Sequence, residues 1–189
     1  GEPIDVLRGD FTGLPIPAAA EIAVEGEIVP DQFKEEGPFG EWPGYYASGE
    51  RKEPVMKVQR LMHRNDPIIT GAPPFRPLPG ANGCSDLIRA ALIWDALDKA
   101  GVPDVKGVAC YQQRFFLVIS TKQPYPGHAK QAALVAGQCQ GGAYLNRYVV
   151  VVDDDIDVAD INDVLWAMCT RANPEQSIDI VRRCWSGPL

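Results

Sequence analysis

Glu36 and Glu41 bracket a Gly37-Pro38-Phe39-Gly40 turn, and four aromatic residues, Phe39, Trp42, Tyr45 and Tyr46, crowd the same stretch. Carboxyl groups serve as general acids or bases. One pressed against aromatic surface keeps its proton to higher pH, because its charged form is desolvated. Gly37, Gly40 and Gly44 free the backbone while Pro38 and Pro43 stiffen it. The loop 35–46 can therefore hold two acids in a fixed relation beside an aromatic wall. The same composition also suits a surface turn whose glutamates face water.

Other chemistry-bearing residues have plainer roles. Asp153-Asp154-Asp155 follows an apolar run and could hold Mg²⁺ near a nucleotide phosphate. The sequence has no Gly-rich phosphate loop ending in Lys-Ser/Thr. Acids there, with Asp157, also suit the start of a helix, which favours a capping role. Lys130 and Arg147 could each meet a phosphate or face solvent. His63 and His128 are the only histidines and lie far apart, which argues against a histidine metal site. His63 could be a ligand, a base or a residue packed at a strand end.

The elements that must position these groups divide at a change in proline content. Most prolines lie before residue 81, so strands and rigid loops are expected first and helices later. PIDVLRG reads as a short alternating run, and Leu14-Pro15-Ile16-Pro17 as an extended edge or crossing. AEIAVEGEIVP alternates Ile22, Val24 and Gly26 against Glu21, Glu25 and Glu27, a strand with one solvated face. EPVMKVQRLMHR supplies another strand, marked by Val55, Val58 and Leu61. Residues 70–83 read as a Pro/Gly linker or an active-site rim.

Ser85 can cap a helix running to about Ala100, stopped by Gly101 and Pro103, with Leu87, Ile88, Ala91, Leu92 and Leu97 on its apolar face. Strands at 105–112 and 114–122 can pair as a hairpin, and 126–140 reads as a helix ended by Gly141-Gly142. Residues 147–152 form an uninterrupted apolar strand, expected to be central and covered on both faces. Ile161, Val164, Leu165 and Met168 mark a third helix. The order αββαβα describes a small α/β layer domain with a mixed sheet, and the fold class of the chain as α+β.

The chain has 189 residues and a formal net charge of −7, without a long basic run, which argues against nucleic-acid binding. No apolar run approaches the roughly 20 residues of a membrane span, and no signal peptide is visible. Five scattered cysteines match no zinc spacing and suit free thiols in a cytoplasmic protein.

The run EGPFGEWPGYY closely resembles the EGPFG-(E/D)-x-x-GYY signature of the UbiD-like decarboxylases. Four further segments match in the same order, at 1–28, 63–68 (HRNDPI), 125–130 (YPGHAK) and 149–171. The resemblance implies reversible, non-oxidative decarboxylation of an aromatic or α,β-unsaturated carboxylic acid with prenylated FMN. It assigns the proton donor to Glu41 and a partner in a Glu-Arg-Glu network to Glu36. The network arginine, most flavin contacts and the metal ligands (Mn²⁺ and K⁺ in the parent) fall upstream, so neither cofactor nor metal is expected on this chain alone. It further implies a partial split β-barrel over 1–70, a linker over 71–80 and a C-terminal α/β domain over 81–189. The chain would then be a central-to-C-terminal piece, inactive alone, of a homo-oligomeric parent supplied by a flavin prenyltransferase. Trp42-Pro43 departs from the smaller or polar residues often found after the motif acid and bears on pocket shape. The competing reading is a non-catalytic subunit or dimerisation module of the same fold.

Overall fold

Alternating β-branched and charged residues between Ile22 and Glu36 build the longest strand of the chain. The computed structural model describes residues 2–41, 44–46, 49–71 and 84–186. The chain divides into two units, 1–77 and 78–189. Among the described residues, no helix is long and apolar enough to cross a membrane.

The first unit contains two antiparallel ribbons. β1 (Val6–Arg8) pairs with β2 (Pro15–Pro17), with Leu7 opposite Ile16. Pro15 and Pro17 carry no N–H, which suits the edge position expected for this segment. β3 (Ile22–Glu36) pairs with β4 (Arg51–His63), with register irregularities at Glu25/Gly26 and Ile28/Phe33. No barrel closes among the described residues.

Period-two alternation along β3 and its register with β4 place Ile22, Val24, Ile28, Met56, Val58 and Leu61 on one face. Each is at least 40% exposed in this chain. Glu25, on the face expected to be solvated, is instead only 4% exposed. The sequence pattern identified the two faces correctly, yet their burial is reversed at this point. The cause is a loop that folds onto the carboxylate.

The second unit has the expected order: α1 (Cys84–Lys99), β5 (Val105–Tyr111), β6 (Phe116–Thr121), α2 (His128–Gln138), β7 (Tyr148–Val152) and α3 (Ile161–Arg171). The sheet order is β5-β6-β7, with β5/β6 antiparallel and β6/β7 parallel, hence mixed. Leu117 and Ile119 join the core beneath α1 and α2, whereas Val118 joins the core beneath α3. All three are at most 2% exposed, as expected of a strand covered on both faces.

Two expectations need correction here. The apolar run at 147–152 becomes β7, which is covered on both faces but lies at the sheet edge; β6 is central. An apolar run reports burial by helices above and below, and says nothing about how many strands flank it. On α1 the core face is Asp86, Ala90, Ile93 and Leu97, while Leu87, Ile88 and Leu92 are more than half exposed. That helix carries apolar residues on two faces, so periodicity alone could not choose between them.

The helix ends follow local chemistry. Gly101 adopts φ 73°, and the N–H groups of Gly101 and Val102 donate to the carbonyls of Asp98 and Leu97, a Schellman stop. Ser85 lies within α1 rather than before it; its side chain is outside the described set, as is the linker from 72 to 83. Asp160 caps α3 by accepting from Asn162 N at 2.9 Å. α2 ends at extended Cys139, before Gly141-Gly142.

Candidate active-site loop

Glu36 is the last residue of β3, is exposed, and has Arg51 as its cross-strand Cα partner. The two preceding pairs are Glu35–Lys52 and Lys34–Glu53. Opposite charges thus face each other at the base of the loop, which favours this register over a slipped one. Arg51 Nε also lies 2.5 Å from Glu53 Oε1. The signal for this ladder was legible as the mirrored orders Lys-Glu-Glu and Arg-Lys-Glu, but only once the two runs were known to pair.

Glu41 lies beyond the turn and is half-buried. Its N–H donates to the Tyr45 carbonyl at 3.0 Å, and Gly44 N–H donates back to the Glu41 carbonyl at 2.9 Å. Gly44 adopts φ 89°, a left-handed conformation that a side chain would strain. Gly40 and Tyr46 form a bridge just outside this turn. These two hydrogen bonds, with left-handed Gly44, make a tight local closure that fixes the backbone of Glu41. The aromatic wall expected from sequence is not closed on this chain: Phe39, Tyr45 and Tyr46 are 58%, 58% and 71% exposed, and Trp42 and Pro43 lie outside the described residues.

The remaining candidates are drawn into structural roles. Arg171 Nη1 and Nη2 bind the two Asp155 oxygens at 2.7 Å each, and Nη1 reaches Asp153 Oδ2 at 3.3 Å. The guanidinium also lies over the Trp166 ring, 4.9 Å from its centroid. Asp157, expected at the start of the third helix, instead lies in the preceding turn and accepts from Ala159 N at 2.9 Å, because α3 begins at Ile161 with Asp160 as its cap. No group of three or more His, Cys, Asp or Glu side chains arranged for a metal occurs among the described residues. Lys130 pairs with Asp179, and Arg147 lies over Phe115 and donates to Ser186 Oγ.

The two histidines separate clearly. His63 ends β4 in an exposed position, 2.8 Å from the Arg64 carbonyl through Nδ1, at the opposite end of the ribbon from Glu36. His128 is fully buried, with Nε2 donating to the Pro103 carbonyl at 2.9 Å and Tyr125 edge-on to its ring. It pins the start of α2 to the loop before β5.

The residue that sequence reasoning missed is Glu25. Its carboxyl group lies below its ordinary range, held there first by the Thr12 hydroxyl and then by the Thr12 amide. Its place in an alternating Glu21-Glu25-Glu27 pattern gave no sign of this.

Comparison with known proteins now bears on the loop. Residues 1–77 match the 3-octaprenyl-4-hydroxybenzoate carboxy-lyase Rift-related domain, and residues 84–189 match the C-terminal domain of the same family. A phenolic acid decarboxylase of Sedimentibacter hydroxybenzoicus is 34% identical, over 100% of this chain and 39% of its own length. Another, from Bacillus subtilis (strain 168), is 31% identical over 96% of this chain and 38% of its own length. In structure, the chain resembles the S. hydroxybenzoicus vanillic acid decarboxylase in an open form, with TM-score 0.80 and 32% identity, covering 99% of this chain and 40% of that one. It also resembles an evolved dimeric form of the UbiD-class enzyme HmfF from Pelotomaculum thermopropionicum in complex with prFMN, with TM-score 0.79 and 31% identity over 97% and 42% of the two chains. This chain thus spans about two-fifths of the length of the relatives it matches. With both of its units matched by domains of one family, the chain belongs to the UbiD family of carboxy-lyases.

Proposed function

We propose that this chain supplies the proton-donating loop of a UbiD-class decarboxylase acting on an aromatic or α,β-unsaturated carboxylic acid. The observation that carries this is the locked turn Glu41–Tyr45, which fixes the backbone of a half-buried acid directly after a Gly37–Gly40 turn. The decarboxylase names of the similar proteins support it.

Cleavage of the carbon–carboxylate bond releases carbon dioxide and leaves an electron pair on carbon. Prenylated FMN, when bound, supplies the sink for that pair. Glu41 then delivers the proton from its carboxyl oxygen to the substrate carbon, and the resulting carboxylate is reprotonated from solvent. Glu36 supports it as a network partner, held in register by the pairing with Arg51.

No residue of this chain is assigned to the flavin phosphate or to Mn²⁺ and K⁺. We place those contacts in the parts of the relatives that this chain does not span, and expect no turnover from this chain alone. The reaction runs in either direction, in a cytoplasmic homo-oligomer served by a flavin prenyltransferase.

The test is Glu41→Gln in the whole, cofactor-loaded enzyme carrying this chain. Turnover should fall about 10²–10⁴-fold, as for loss of a positioned general acid, while flavin absorbance is retained. Solvent deuterium should enter the product carbon in the parent at the rate of turnover. Turnover by Glu41→Gln within a few-fold of the parent would transfer the donor role to Glu36 or to a water.

A further inference from the structure

We propose that the loop Gly9–Leu14 is a carboxylate-binding site, and that Glu25 is the ligand it holds in cis. Glu25 Oε1 accepts from Thr12 N at 2.9 Å and from Thr12 Oγ1 at 2.6 Å, while Oε2 accepts from Phe11 N at 3.3 Å. Successive backbone amides converging on one anion form a nest, the arrangement by which loops recognise small anions without a basic side chain. Thr12 Oγ1 also accepts from Leu14 N at 3.2 Å, so the hydroxyl that binds the carboxylate helps set the loop's own shape.

The loop is built independently of its ligand. Gly9 N donates to Leu14 O at 2.9 Å, and Gly13 N donates to Gly9 O at 3.1 Å. Gly13 has φ 70°, where a side chain would be strained. A Cβ on Gly9 would overlap Glu25 Oε1, so glycine there admits the carboxylate. Residues Arg8–Gly13 also line an open concavity. Nothing in the alternation of β3 buries Glu25; its burial is produced by this loop, from 13 and 14 residues away in sequence.

The ligand class is a small planar monocarboxylate. With the Glu25 side chain removed, the nest should accept free formate or acetate. This inference does not depend on the decarboxylase assignment, since it concerns loop order rather than turnover.

The experiment measures backbone amide exchange on the full 189-residue chain. The Phe11 and Thr12 amides should be protected in the parent. Glu25→Ala should lose about 10-fold or more of that protection, as expected for hydrogen bonds to a charged group. Sodium formate should restore it saturably, and sodium chloride at equal ionic strength should not. Lack of protection in the parent, unchanged protection in Glu25→Ala, no restoration by formate, or equal restoration by chloride would overturn the proposal. If Glu25→Ala also loses protection across β3 and β4, Thr12→Val becomes the deciding variant. It keeps both amides and removes one donor, so partial loss at Phe11 and Thr12 with β3 and β4 intact supports the site, and unchanged protection overturns it.

Discussion

Arg171 closes a bidentate ion pair on Asp155, with both nitrogen–oxygen distances at 2.7 Å. The pair joins the last turn of α3 to the acidic segment that follows β7. The Asp155 carboxyl is held below its usual range, chiefly by hydrogen bonds from Arg171.

The first prediction concerns this pair. Arg171→Lys should destabilise the α/β unit slightly, because an ammonium cannot reproduce the planar two-point contact or the stacking on Trp166. Since the folded pKa of Asp155 is lowered, the pair's contribution is complete above the unfolded carboxylate value and fades as pH falls through the folded one. Thermal unfolding of parent and variant should therefore converge in acid. A difference between them that grew on acidification would contradict the assignment.

A second acid effect belongs to Glu25. Its carboxyl is lowered by the Thr12 hydroxyl and the backbone amides of the loop. The loop's attachment to β3 should hold above the unfolded glutamate pKa and loosen as pH falls through the folded value. The other groups facing this carboxyl are Arg60, its cross-strand partner, and the Asp10 backbone, which also hydrogen-bonds to it. Amide shifts of Phe11 and Thr12 followed against pH should move with a midpoint below the free-glutamate value. A midpoint above it would be inconsistent with the geometry.

The two apolar faces of α1 yield a paired test. Leu97 is fully buried and Leu92 is 56% exposed. Leu97→Ala should cost about 2–5 kcal/mol, whereas Leu92→Ala should stay within about 0.5 kcal/mol. Chemical denaturation of the two variants measures the contrast. Equal costs would mean that the outer face is covered by something in solution.

His128 makes a separate prediction. Its ring is fully buried and donates to the Pro103 carbonyl. His128→Ala strands that carbonyl, which costs about 1–3 kcal/mol, and leaves a cavity that adds to the loss. Hydrogen exchange should show the effect first at the start of α2 and around Val102. Loss confined to the first unit would exclude this role.

Much of the second unit was legible because its elements are close in sequence and its punctuation is local. Gly101 stops α1 where its left-handed conformation satisfies the last carbonyls, and Asp160 caps α3 through its own oxygen. Such decisions are made within a few residues, so the sequence carries them. The loop between Glu36 and Arg51 was likewise visible from its glycines, prolines and acids, and from the family resemblance those residues carry.

What the sequence by itself determined, then, was the order αββαβα, the stop of α1 at Gly101, and the existence of an acid-bearing turn. Tertiary structure decided which apolar face of α1 meets the core, because Leu92 and Leu97 look alike until β5 and α2 choose between them. It also decided that β6 rather than β7 is central, since pairing partners are not encoded in a strand's own hydrophobicity. Above all it decided the fate of carboxylates that look interchangeable on paper. Asp155 found Arg171 16 residues away, and Glu25 found the amides of Phe11 and Thr12. A charge is buried or paired according to donors brought from a distance, and only the folded chain brings them.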